Sequence, residues 1–157
     1  MLASKYEGQN CSIARALEAV GERWTLLIVR ELLIKPRRFL ELEKSLAIAK
    51  NTLTSRLEKL VDLGIVEKIA VEDPRDWSTY QLTRKGQDLF PVLSALMAWG
   101  DAYYAPRGSP AIFQHTCGND AGHKLVCEAC GDLVNASSVQ GLPGPGWIRR
   151  SRKKHPA

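Results

Sequence analysis

Leu53, Leu57 and Leu60 recur at i, i+4 and i+7, a spacing that stacks them along one side of a helix. Gly64 ends that helix, and Ile65 and Val66 follow it. On the opposite side fall Asn51, Ser55, Glu58 and Asp62, with Thr52, Arg56 and Lys59 on a flank. One face is built to be buried, and the other is hydrogen-bonding and partly cationic. A free face of that kind is suited to DNA.

The preceding helix is shorter. Phe39, Leu42 and Leu46 keep an i, i+3, i+7 register, and the few residues between Leu46 and Leu53 force a tight turn. The pair therefore predicts a helix-turn-helix, whose second helix enters the major groove while the first crosses the backbone. Lys50, Asn51, Thr52, Ser55, Arg56 and Lys59 are the candidates to read or position DNA, and Arg37 and Arg38, in a basic turn, the candidates to hold phosphate. After Gly64, residues 66–71 and 78–82 are rich in β-forming residues and bracket a turn at 72–76, which predicts a wing. Arg75 is the cation at its tip, among Glu72, Asp73 and Asp76, and is expected to serve affinity more than sequence choice.

Four blocks in order, CSIARALEAVGERWTLLIVRELL, RRFLELEKSL, NTLTSRLEKLVDLGIVEK and YQLTRKGQDLFPVLSALMAWG, closely resemble the HxlR-type winged helix-turn-helix transcriptional regulators of bacteria. The resemblance runs from about Cys11 to Trp99. It implies a homodimer that binds double-stranded DNA at a pseudo-palindromic operator, as a repressor, with a small-molecule effector that no residue here identifies. Leu40 and Ala49 stand where the family usually has a serine at a helix start. Losing such a cap costs about 1 kcal/mol. The fold class is thus mainly α with a small β-wing, a dimeric winged helix-turn-helix followed by a small Cys-rich C-terminal hairpin.

The net charge of +5 is uneven along the 157 residues. The last nine hold five Lys or Arg and no acid, so residues 1–148 carry 17 basic and 17 acidic groups. The excess is a basic tail, residues 149–157, read as disordered and non-specific toward DNA. Between Lys35 and Lys59 seven basic residues face three acids, a local difference of +4 that steers phosphate. No apolar run approaches membrane length, and residues 1–10 lack a signal-peptide pattern, so the expected location is the cytoplasm.

Residues 11–20 read as the first helix, stopped by Gly21, and residues 22–33 as a nearly all-apolar central helix that includes Trp24. Residues 84–100 are helical by pattern, with Pro91 marking a kink or boundary near Phe90. Their two apolar stripes exceed what one small domain covers, which argues for a subunit interface with the first helix. Cys11 has two readings. In some members of the resembled family a cysteine at this place senses oxidants, and a helix N-terminus favours thiolate; alternatively it is a small residue packed against the partner subunit.

Three stretches divide the chain: residues 1–104 as the DNA-binding and dimerisation domain, 105–148 as a Cys/His extension, and 149–157 as the tail. In the extension, Cys127-x-x-Cys130-Gly131 has the spacing of a metal knuckle, with Cys117 as a third sulfur and His115 or His123 as a nitrogen ligand for a structural zinc. Plain reduced thiols in a hairpin are the other reading. A subset of the resembled family carries a similar tail. Catalysis is not expected: the zinc-deaminase signature lacks its Glu and Pro here, and neither a phosphate-binding glycine loop nor a nucleophile elbow is present. Two function classes follow, a sequence-specific regulator and, as the alternative, a protein-interaction scaffold using the Cys/His hairpin.

Overall fold

The computed structural model describes residues 10–69 and 78–146. The wing turn with Arg75 and the basic tail lie outside the described residues. The chain divides into two compact units, residues 16–123 and residues 1–15 together with 124–157.

Elements run in the order α1 (Ser12–Val20), α2 (Thr25–Ile34), β1 (Arg37–Arg38), α3 (Phe39–Leu46), α4 (Lys50–Asp62), β2 (Val66–Ile69), β3 (Thr79–Leu82), α5 (Arg84–Gln87) and α6 (Phe90–Tyr104). The strands form an antiparallel sheet in the order β1-β3-β2, with Val66 opposite Leu82 and Arg37 opposite Tyr80. Leu53, Leu57 and Leu60 of α4 pack with Ile28, Val29 and Leu32 of α2, Leu42 and Leu46 of α3, and Ile65, Val66 and Leu82 of the sheet. These side chains are almost wholly removed from water, each stabilising by about 1.5–3 kcal/mol.

Gly64 has φ 63°, Ile65 N–H donates to the Leu60 carbonyl at 2.9 Å and Gly64 N–H to the Val61 carbonyl at 2.8 Å. This is a Schellman ending, and it aims the chain into β2. The helix start is weaker. Its N-cap is Ala49, with no side-chain cap, although the Asn51 side-chain oxygen accepts from Thr52 N–H at 2.8 Å. Ala49→Ser is therefore expected to raise stability by about 1 kcal/mol in chemical denaturation; no gain would show the first turn already satisfied. Leu40 lies inside α3, whose N-cap is Arg38, with the Glu41 carboxylate accepting from the Arg38 amide at 2.7 Å.

Several boundaries differ from the sequence reading. Arg37 and Arg38 are a short strand rather than a turn, because β3 offers them an edge. The central helix starts at Thr25, since Gly21 to Trp24 form a turn. Pro91 falls in the first turn of α6, where its missing N–H is harmless, so the boundary alternative holds and α5 is a separate turn of helix. Residues 105–123 pack with the helical unit: Phe113 meets Phe90 edge to face at 5.3 Å, and Ser94 Oγ donates to the Gly122 carbonyl at 3.4 Å. Among the described residues no helix is long and apolar enough to cross a membrane.

Candidate nucleic-acid interface

α3 and α4 are joined by three residues, Ala47, Ile48 and Ala49. Ala47 adopts the left-handed region at φ 49° and Ile48 is buried, so the turn is anchored from inside. With Leu53, Leu57 and Leu60 locked in the core, α4 presents Lys50, Asn51, Thr54, Ser55 and Glu58 to solvent. Thr52 is half-buried. Thr54, missed by the sequence reading, lies beside Ser55 at a position the opposite-face criterion excludes.

Four basic candidates are distributed differently. Arg37 is largely covered, at 19% side-chain exposure, and one of its guanidinium nitrogens lies 3.1 Å from Glu31 Oε2. Arg30 holds the other Glu31 oxygen at 2.8 Å. Arg56 pairs with Glu22, and Lys59 donates to the Glu18 carbonyl at 2.9 Å. Arg38 is exposed beside the start of α3. The exposed polar face of α4 is therefore narrower and less cationic than the sequence suggested.

An exposed helical face on a helix-turn-helix with a paired β2–β3 arm is the architecture of a winged helix-turn-helix. Residues 19–107 match the family model of the HxlR-like helix-turn-helix. The chain belongs to the HxlR-like family. It is similar, at 43% identity over 148 residues, to the uncharacterized HTH-type transcriptional regulator Rv3095 of Mycobacterium tuberculosis, covering 93% of this chain and 92% of that protein. The regulator YodB of Bacillus subtilis is 33% identical over 92 residues, 58% of this chain and 82% of YodB. Among solved structures, PA1607, a proposed transcription factor, superposes with a TM-score of 0.78 at 32% identity, over 87% of this chain and 97% of that one. PA1374 of Pseudomonas aeruginosa gives 0.62 at 37% identity, over 88% and 95%. This HxlR-like protein is thus a DNA-binding regulator of transcription and not an enzyme.

The cysteines sit in turns. Within the helical unit, Gln114 bridges Asp120, His115 N–H donates to the Asn119 carbonyl at 2.8 Å, and Cys117 is at the exposed bend. The Cys117 thiol is held below its ordinary value by hydrogen bonds from the Asn119 backbone and side chain. His115 Nδ1 accepts from Cys117 N–H at 3.2 Å. Within the other unit, Val126 bridges Leu133 and Gly131 N–H donates to the Cys127 carbonyl at 2.8 Å. The Cys127 thiol is lowered by hydrogen bonds from the Cys130 backbone, then the Ala129 backbone and the Cys130 side chain. Amide donors aimed at the Cys127 sulfur are what a thiolate ligand needs, so Cys127, with Cys130 at knuckle spacing, fits a thiophilic metal. Among the described residues no three His, Cys, Asp or Glu side chains are gathered as a ligand set.

Proposed function

We propose that this HxlR-like protein is a cytoplasmic homodimer that represses transcription from a pseudo-palindromic operator, with α4 in the major groove. The observation that carries it is the solvent face of α4: Lys50, Asn51, Thr54 and Ser55 are free of the core while the leucine stripe beneath holds the helix rigid. Thr52 lies at the margin of that face, and Arg38 and Arg75 are assigned to phosphate or groove. Arg37, Arg56 and Lys59 belong to the same interface as supports, engaged with acids or carbonyls of the domain.

Dimerisation is supported by apolar surface that a monomer leaves wet. On α6, Val92, Leu96, Trp99 and Tyr103 are exposed, Trp99 at 53%, and on α1 so are Ile13 and Leu17. A twofold pair would set its α4 helices about one DNA turn, roughly 34 Å, apart. Selection of fragmented genomic DNA on the purified protein at physiological salt is expected to enrich a short pseudo-palindrome upstream of genes. Enrichment of no sequence, with only salt-sensitive binding, would favour the scaffold reading.

The Cys127-x-x-Cys130 turn is assigned a structural zinc. About one zinc per chain is expected in freshly purified, unchelated protein, and far less would remove the assignment. Cys11 is exposed beside the first turn of α1, its carbonyl accepting from Arg15 N–H at 3.1 Å. Peroxide-induced DNA release that disappears in Cys11→Ser would make it a redox switch, whereas an unchanged response assigns it to the subunit interface.

A further inference from the structure

The turn from Gly21 to Trp24 is bent in a way its residues do not favour. Trp24 has φ 78°, a left-handed conformation that is costly for a bulky side chain, and the Arg23 guanidinium lies over its ring at 5.6 Å. Strain of this kind persists only where the surroundings over-determine it. What the bend and the end of α1 present together is a group of acceptors, the Glu22 carboxylate and Arg23 carbonyl of the bend and the Glu18 carbonyl in the last turn of α1. All of them are occupied by α4. The Arg56 guanidinium pairs with Glu22 Oε2, and Arg56 Nε donates to the Arg23 carbonyl at 3.4 Å. Lys59 Nζ donates to the Glu18 carbonyl at 2.9 Å and lies 3.8 Å from Glu22 Oε1.

Arg56 and Lys59 are three residues apart, so they stand one above the other on a flank of α4. Two anchors along a helix restrain its roll about its own axis as well as its position. Roll matters for base readout. With side chains at about 5–6 Å from the axis, a rotation of roughly 20° moves the tips on the groove-facing side by about 2 Å, more than a hydrogen bond tolerates.

We propose that Glu22 is a positioning residue for operator recognition: with the Glu18 and Arg23 carbonyls it keeps Arg56 and Lys59 on the domain in free and DNA-bound protein alike. The two cations then set the roll of α4 and do not neutralise phosphate. Base discrimination is left to the exposed face, chiefly Asn51, Thr54 and Ser55. This rests on the placement of α4 in the major groove.

The test is the dissociation constant for the selected operator and for random DNA, measured across a salt series on the full chain. Arg56→Ala and Lys59→Met are expected to keep the slope of log affinity against log salt while losing about tenfold of the operator's preference over random DNA. Glu22→Gln preserves the side-chain shape and removes the charge that both cations share, leaving only the Glu18 and Arg23 carbonyls to hold them. It is expected to lose the same preference while the slope steepens by up to about 0.9 per freed charge and random DNA binds more tightly. A slope in Arg56→Ala that falls by about 0.9 with preference intact would make Arg56 a direct phosphate contact and overturn the proposal. So would a Glu22→Gln protein with unchanged slope and preference. Thermal midpoints accompany each variant, and because Arg56 also holds the Arg23 carbonyl and Lys59 the Glu18 carbonyl, loss of folding in one variant leaves the other decisive. Failure of the underlying placement is visible separately, as a Ser55→Asp variant that retains operator affinity.

Discussion

Glu31→Ala is expected to lower the unfolding free energy of this HxlR-like protein by about 3 kcal/mol, near the lower end for breaking a covered ion pair by removing one partner. Glu31 is nearly buried and its two oxygens are shared between Arg30 and Arg37. Arg30 is 43% exposed at its side chain and can turn to water. Arg37 cannot: its Nε is already buried without a hydrogen-bond partner among the described residues, and its backbone is held in β1 against β3. Removing the carboxylate would strand a positive charge at the junction of α2, the sheet and α3. The midpoint of thermal unfolding should fall by roughly 6–12 °C. Adding Arg37→Met to Glu31→Ala should recover much of the loss, since both members of the pair are then apolar. A single-variant loss below about 1 kcal/mol in chemical denaturation would show that water already reaches the pair.

Ser55→Asp is expected to act on the opposite property. Ser55 is exposed at the middle of the α4 face, so the substitution should change stability by no more than about 0.5 kcal/mol. Against DNA it removes a donor and places a negative charge where the base edges and phosphates would lie. Operator affinity should fall at least roughly hundredfold, about 2.7 kcal/mol, whereas Ser55→Ala should lose tenfold or less. Fluorescence anisotropy with the selected operator measures both. Retained affinity in Ser55→Asp would place the recognition surface elsewhere on the domain.

Arg37, which Glu31 holds, and Ser55 are residues that the sequence treated alike, as candidates to touch DNA. Ser55 is readable because its role follows from the phase of one helix: with Leu53, Leu57 and Leu60 inward, residue 55 must point outward. Arg37 is not readable in that way, because an arginine beside a helix-turn-helix is as compatible with phosphate as with an acid. Its partner lies six residues back on another element. For Arg56 and Lys59 the partners lie 33 and 41 residues away, across the α1–α2 turn. Close approach in space is equally silent in sequence. A Cβ on Gly86 would collide with the Ile65 carbonyl oxygen, a constraint created by packing α5 against the start of β2.

What the sequence by itself determined is what local periodicity and backbone chemistry control. The leucine register of α4, the Gly64 stop with its left-handed backbone and the β-forming stretches after it each depend on residues within one or two turns, as does the interruption at Pro91, which the structure resolves as a helix start. Only the tertiary structure decided which cations remain available to DNA. Long basic side chains carry no periodic signal and reach several ångströms in many directions, so their partners are chosen by the acids and carbonyls that folding brings within hydrogen-bond range. The same reason accounts for Trp24, whose left-handed backbone reflects no local preference and is held by the packing of the turn between α1 and α2.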